Sequence, residues 1–330
     1  MIICKFGGTS TTAMCALNNI KQLALNKERK VFVFSAVGKA WSNDKKMTDL
    51  LISYCKAHKQ NSSLTIIRNK IINKFKMLAQ NTNVNSNILK EFESYEQKYL
   101  SGNPCYDDCY LISRGEYLTA KIMAQFLNLK FVPAENLMAF KNGKPNLEAI
   151  NKKLNTYIEK YGQIVTCGFY GIENKKIKLL SRGGGDTSGA ILSKSVGAKT
   201  YEIFTDVSGV FEVNPNICPS RQIKNLSFET LKQLTKLDAK VVHPECAKIL
   251  LGSDTTLQVA STFDLSLPAT IVTNYCKEDN LFVGFKILKE KVKIIAKTKN
   301  NNLIACYENK LNFKEKIKKI YEKIKKMHNF

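Results

Sequence analysis

Residues 1–37 read MIICKFGGTSTTAMCALNNIKQLALNKERKVFVFSAV, and this stretch decides the fold. MIICKF is a short apolar run that reads as a strand, and KFGG enters a glycine turn. TSTTAMCALNNIKQLALN is helical in character, and KVFVFSAV is a second apolar strand. A strand, a turn, a helix and another strand make the repeating unit of a mostly parallel α/β sheet.

The pattern continues outward. Residues 46–100 carry Lys, Asn, Leu and Ile at helical spacing and predict a helical insert. LTAKIMAQFLNL predicts a helix feeding the strand KFVPA, and LEAINKKLNTYIEKYG a helix feeding QIVTCGF. DTSGAILSKSVGA predicts a helix leading to the strand TYEIFTDV. This order predicts two lobes, 1–172 and 173–280, followed by a short extension over 281–330. In that extension NLFVGFKILKEKVKIIAKTKNNNLIACYE predicts one or two strands. FKEKIKKIYEKIKKM predicts a helix whose stripe of Phe313, Ile317, Ile320, Tyr321 and Ile324 docks on the body or on a partner subunit.

Composition excludes several function classes. With 44% hydrophobic and 24% charged residues over 330, the chain is an ordinary globular one, and no apolar run reaches the length of a membrane span. The N-terminus lacks the basic, apolar and small-residue segments of a signal peptide, so a cytoplasmic protein is expected. Ten scattered cysteines, with CYDDC (Cys105, Cys109) and HPEC (His243, Cys246) as the only close groupings, suggest reduced thiols rather than disulfides or zinc. The net charge of +23 comes almost wholly from lysine, since five of the 51 basic residues are arginine. No nucleic-acid recognition motif accompanies it, so the expectation is an anionic small-molecule substrate and neither nucleic acid nor membrane.

The chemistry gathers in two glycine turns. In KFGGTS, Lys5 stands at a strand end, Gly7 and Gly8 let backbone approach an anion, and Thr9 and Ser10 open the next helix. In RGGGDTS, Arg182 suits a bidentate contact with a carboxylate or phosphate. Asp186 follows at a helix start, where it is an N-cap, a holder of Mg²⁺ through water, or a partner for Lys5. FTDVSGVF ends a strand in Thr205 and Asp206, suited to a ribose or base, and AKVVHP places Lys240 before a helix opened by Pro244. The three histidines, His58, His243 and His328, sit in no hydrolase pattern, and a reaction without imidazole is expected. Phosphoryl transfer fits, because it works by positioning and charge neutralisation.

The ordered blocks KFGGTS, FSAVG, SRGE, CGFYG, SRGGGDTSG, FTDVSGVFEVNP and AKVVHP resemble the aspartokinases of the amino acid kinase superfamily over residues 1 to about 275. The resemblance implies a three-layer αβα sandwich with a mostly parallel sheet and a short α+β C-terminal extension. It also implies transfer of the γ-phosphate of ATP, with Mg²⁺, to the β-carboxylate of L-aspartate, and a homo-oligomer, expected to be a dimer. By position, Lys5 and Asp186 are its catalytic residues. Ser35, Thr48, Glu116 and Arg182 match aspartate-binding positions, with Glu116 on the α-ammonium. Lys5, Gly7, Gly8, Ser10, Thr205, Asp206, Phe211 and Lys240 match ATP-binding positions. No position matches a protein metal ligand.

The departures are specific. Gly185 stands where the family usually has serine, Phe211 replaces a nucleotide-side tyrosine, and Asn214 and Asn216 replace the aspartate and arginine of Asp-Pro-Arg. They leave open a degenerate kinase serving as a regulatory or binding subunit, or a kinase for another amino acid carboxylate. After position 280 there is room for a truncated ACT-like remnant of the strand–strand–helix kind, so weak or absent inhibition by lysine or threonine is expected.

Overall fold

The computed structural model describes all residues except 85–86, 182, 238–241, 277–280, 290, 298–302 and 329–330. Among them, no helix is long and apolar enough to cross a membrane. The first unit is β1 (Ile2–Phe6), α1 (Met14–Ala24) and β2 (Arg29–Phe34). The helix starts later than its sequence suggests. KFGG runs into a 3₁₀ turn over Gly8–Thr11, and the α-helix begins only at Met14. The insert folds as α2 (Met47–Lys59), α3 (Thr65–Thr82) and α4 (Ile88–Leu100), packed with α5 (Asp108–Leu127). Helix α5 opens ten residues before LTAKIM, because Asp107 caps it by accepting the Tyr110 N–H at 3.0 Å. The SRGE block is therefore carried on a long helix.

Next come β3 (Lys130–Phe131), α6 (Ala134–Leu137) and a small hairpin of β4 (Phe140–Lys141) and β5 (Lys144–Pro145). They lead to α7 (Leu147–Tyr161) and β6 (Ile164–Cys167). A hairpin of β7 (Tyr170–Glu173) and β8 (Lys176–Leu179) then precedes α8 (Gly184–Ser195) and β9 (Thr200–Thr205). Five elements complete the main body: β10 (Asn225–Ser227), α9 (Phe228–Lys236), α10 (Pro244–Leu250), β11 (Thr256–Ser261) and β12 (Thr270–Thr273).

The main sheet has eight strands in the order β10-β12-β11-β9-β1-β2-β6-β3, parallel except where β11 meets β12. Strands from both lobes predicted by sequence lie side by side in it, with β1 paired to β2 on one side and β9 on the other. Chain order reverses at β1, and in such sheets the crevice beyond the strand carboxyl ends at that point is where ligands bind. Alternation along the central strands divides the core. Phe6, Phe32, Phe34 and Phe204 stack together on one face. On the other face Lys5 meets α8, and Tyr201 donates its hydroxyl to Asp186 O at 3.0 Å. Helix α8 lies close because it is built of small residues: a Cβ at Gly189 would sit 2.2 Å from the Tyr201 oxygen.

The extension is a three-stranded antiparallel sheet rather than one or two strands: β13 (Phe282–Ile287), β14 (Lys291–Lys297) and β15 (Leu303–Asn309), covered by α11 (Phe313–His328). The helix stripe buries Ile317, Tyr321 and Ile324 against Val283, Phe285, Val292 and Ile294, so it docks on its own chain. Two bonds tie this unit to the segment after β9. Val283 N–H donates to Glu212 O at 2.7 Å, and the Tyr321 hydroxyl donates to Glu212 Oε2 at 2.7 Å.

Candidate active site

Lys5 is delivered by the parallel register of β1 and points at the first turn of α8. There Lys5 Nζ and Asp186 Oδ1 lie 2.7 Å apart, both side chains largely buried. Asp186 is the third residue of α8, not its cap; the cap position is Gly183, whose φ of 84° suits glycine. The second carboxylate oxygen, Oδ2, accepts the His243 backbone N–H at 3.0 Å. One carboxylate thus holds the strand-end lysine and the start of α10 together. His243 also caps α10, its Nδ1 accepting the Glu245 N–H at 3.3 Å, and Pro244 takes the first turn. Its ring lies so close to Gly183 that a Cβ there would meet Cδ2 at 2.3 Å.

Glycines bring the walls together. A Cβ on Gly8 would meet the Ala36 carbonyl oxygen at 2.4 Å, and Gly38 N–H donates to Gly8 O at 2.9 Å. Gly8 therefore fastens the first turn to the loop after β2, while Gly7 is the glycine left facing Lys5, its missing Cβ 3.9 Å from Nζ. Ser10 is fully buried and shares a 2.7 Å hydrogen bond with Thr262 Oγ1, bracing the turn against the end of β11. Thr262 in turn donates its backbone N–H to Thr205 O at 2.8 Å, and Thr205 Oγ1 donates to Asp206 Oδ1 at 3.1 Å. Phe211 forms a lone antiparallel bridge with Gln222 further along this side.

Within electrostatic reach of Lys5 lies Glu116. It is buried, it accepts the Ala36 N–H, and its Oε2 has no hydrogen-bond partner among the described residues. Burial pushes its carboxyl up to about 7, against the opposing pull of the Ala36 N–H and the Lys5 charge. Gly115 lets α5 pack closely on α2, since a Cβ there would collide with Leu51 and Met47. Thr48 follows Met47 in the first turn of α2. Ser35, one residue past β2, completes the group: its N–H donates to Phe6 O at 3.2 Å, and its hydroxyl lies against Gly185.

Lys5, Ser35, Glu116 and Asp186 are thus brought together, with Thr205 and Asp206 at the neighbouring strand end. Arg182 and Lys240 lie outside the described residues. His243, Thr262, Gly38 and Gly168 were not singled out from the sequence as site residues. Gly38 and Gly168 lie in the FSAVG and CGFYG blocks, and His243 is marked by the proline after it, but its main-chain role runs through an N–H that every residue but proline has.

The model of the amino acid kinase family matches residues 1–261. Aspartokinase 3 of Bacillus subtilis is 27% identical over 295 residues, covering 85% of this chain and 64% of the relative. An aspartokinase of Rickettsia felis is 29% identical over 231 residues, covering 63% and 56%. The chain therefore spans about three fifths of the length of these relatives. Clostridium acetobutylicum aspartate kinase superimposes with a TM-score of 0.77 at 27% identity, over 89% of this chain and 68% of that one. E. coli aspartokinase III, in a structure with aspartate and ADP, superimposes with a TM-score of 0.73 at 21% identity, over 86% and 68%, which speaks to the fold. With a family match over most of its length, and the same mostly parallel α/β architecture, the chain belongs to the amino acid kinase family.

Proposed function

We propose that this chain is an aspartate kinase, moving the γ-phosphoryl group of ATP onto the β-carboxylate of L-aspartate. The observation that carries the reading is Glu116: a buried carboxylate with one unpaired oxygen, within electrostatic reach of a lysine at the sheet's switch point. Such a carboxylate would pair with an ammonium group, bringing the rest of an amino acid towards Lys5. The names of the similar proteins point the same way.

In this reading the triphosphate lies along the carboxyl ends of β1 and β9, over Gly7 and near Lys5. An oxygen of the acceptor carboxylate attacks the γ-phosphorus, the bond to the bridging oxygen breaks, and ADP leaves. The acceptor is ionised at neutral pH, so no base is needed. Lys5 neutralises charge on the transferring group, and Asp186 holds its ammonium in place. Mg²⁺ is proposed to accompany the nucleotide, and Asp206, an exposed carboxylate at the end of β9, would help hold it against the phosphates. Arg182 and Lys240 are proposed for the aspartate carboxylate and the nucleotide on the resemblance alone.

The test is ADP release by the purified chain with ATP, Mg²⁺ and a panel of amino acids, the acyl phosphate being trapped with hydroxylamine. Turnover with L-aspartate and little with L-glutamate is expected. Preference for another carboxylate would change the substrate, and ATP binding without turnover would mark a binding subunit.

A further inference from the structure

One lysine stands where α3 should be apolar. The face that α3 turns inward carries Ile71, Lys74, Phe75, Leu78 and Thr82, all buried. Lys74 is only 6% exposed, and its Nζ donates to Gly38 O at 2.7 Å and to Asp44 Oδ2 at 2.6 Å. Taking an ammonium out of water is costly unless partners replace the water, so a lysine at this position is held by what it binds. Asp44 is its counter-ion and is itself tied into the loop after β2, accepting the N–H groups of Ala40 and Lys45 at 2.9 and 2.8 Å. Gly38 is the partner that leads to the site. Its carbonyl goes to Lys74, its N–H donates to Gly8 O at 2.9 Å, and a Cβ on it would lie 2.4 Å from Gly8 C. One residue, with no side chain and both backbone groups committed, therefore stands between Lys74 and the KFGGTS turn.

We propose that Lys74 is a positioning residue for the phosphate turn: from the inner face of α3 it fixes the Gly38 carbonyl, and through Gly38 it sets the backbone of Gly8, and with it Gly7, beneath the triphosphate. This rests on the kinase reading above. The turn is anchored on two sides. Gly7 N–H donates to Phe204 O at 3.1 Å, which ties it to β9, and Gly8 is tied to Gly38. The first anchor belongs to the main sheet, whereas the second lies in an irregular loop that Lys74 links to a helix. The start of α2 is held separately: Met47 N–H donates to Val37 O at 3.0 Å, and Val37 N–H donates to Thr119 Oγ1 at 3.3 Å. Loosening Gly38 therefore acts on the phosphate side of the site and leaves the position of Thr48 as it is.

The experiment separates the Gly38 contact from the charge pair. Lys74→Met removes both, and Asp44→Asn removes the charge while keeping the lysine at Gly38 O. K74M/D44N removes the lysine and leaves no unmatched charge. Each single variant is expected to melt about 6 °C below the parent, and the double variant within about 2 °C of it. Mg-ATP affinity, read by calorimetry, is expected to follow Lys74 instead: about 10-fold weaker in K74M and K74M/D44N, and within about 3-fold of the parent in D44N. kcat/KM for ATP should fall by about 10-fold or more in the same two variants, with KM for aspartate within about 3-fold of the parent in all three. A purely structural lysine would give affinities that track the melting temperatures. Parent-like ATP affinity in K74M/D44N, or a loss in D44N equal to that in K74M, would therefore overturn the proposal. A parent that binds no Mg-ATP would defeat the kinase reading and this proposal with it. A parent that binds Mg-ATP but does not phosphorylate aspartate would defeat the kinase reading alone, and the binding cycle would still decide the role of Lys74.

Discussion

The Asp186 carboxylate is shared between Lys5 Nζ, 2.7 Å from Oδ1, and the His243 backbone N–H, 3.0 Å from Oδ2. Strand β1 and helices α8 and α10 therefore meet on one side chain. Breaking a largely buried ion pair from one side leaves the other charge unmatched. Lys5→Met or Asp186→Asn alone should each cost about 3 kcal/mol in urea unfolding, and the double variant should lose less than the sum. Phosphoryl transfer should fall at least about 100-fold in all three. Additive stability losses, or turnover left intact in either single variant, would contradict the assigned role.

Glu116 makes stability depend on pH in an uncommon direction. Its carboxyl is raised from the ordinary 4.5 to about 7 by burial, so the folded protein holds this proton longer than the unfolded chain. The stabilisation is fully present below about 4.5 and disappears as pH rises through about 7. Glu116→Gln mimics the protonated form. The unliganded variant should gain on the order of 2–3 kcal/mol over the parent at about pH 8 and almost nothing at about pH 4, while losing aspartate turnover. Urea midpoints measured across that range check it, and a difference independent of pH would refute it.

Arg114, two residues before Glu116 on α5, is held for its shape. Its guanidinium lies 4.6 to 5.4 Å from the ring centres of Tyr95, Tyr110, Tyr117 and Tyr170, and pairs with Glu135 at 2.5 Å. A lysine keeps the charge and loses the flat surfaces that contact the rings. Arg114→Lys should cost about 2 kcal/mol, and Arg114→Met about 3 kcal/mol because Glu135 then loses its counter-ion and keeps only the Tyr170 hydroxyl. Equal unfolding midpoints for parent and lysine variant would show that the rings contribute only packing.

His243 acts through its main chain at Asp186 and through its ring at Gly183 and Glu245. His243→Ala keeps the N–H, so kcat should stay within about 3-fold. Losing the cap of α10 should cost about 1 kcal/mol, and His243→Asn, which can also cap, should restore most of it. A large fall in kcat in the alanine variant would mean that the imidazole itself takes part in the reaction.

Much of this architecture is readable along the chain. Strands rich in apolar residues, such as IICKF and KVFVF, bury both faces and take part in a parallel sheet almost regardless of their neighbours. The glycine turns at 7–8 and 183–185 mark where backbone must come close, and the spacing of Phe313, Ile317, Tyr321 and Ile324 defines a docking face. The starts of α1 and α5 were less legible, because a 3₁₀ turn and a single Asp107 cap decide them. The number of strands in the extension was less legible, because lysines run through KILKEKVKIIAKTK and no glycine or proline marks where one strand ends and the next begins.

What only tertiary structure decided is which groups share a volume. Nothing local in SRGGGDTSGA says that Gly185 lies against Ser35, or that Asp186 takes an N–H from His243. Nor does KFGGTS reveal that Ser10 turns inward to Thr262 while Gly7 faces the lysine. Local propensity and periodicity are written into neighbouring residues, so they can be read from them. Close packing between residues far apart in sequence is set when β1, β2, β6, β9 and α8 come together, and steric exclusion there assigns each glycine its task.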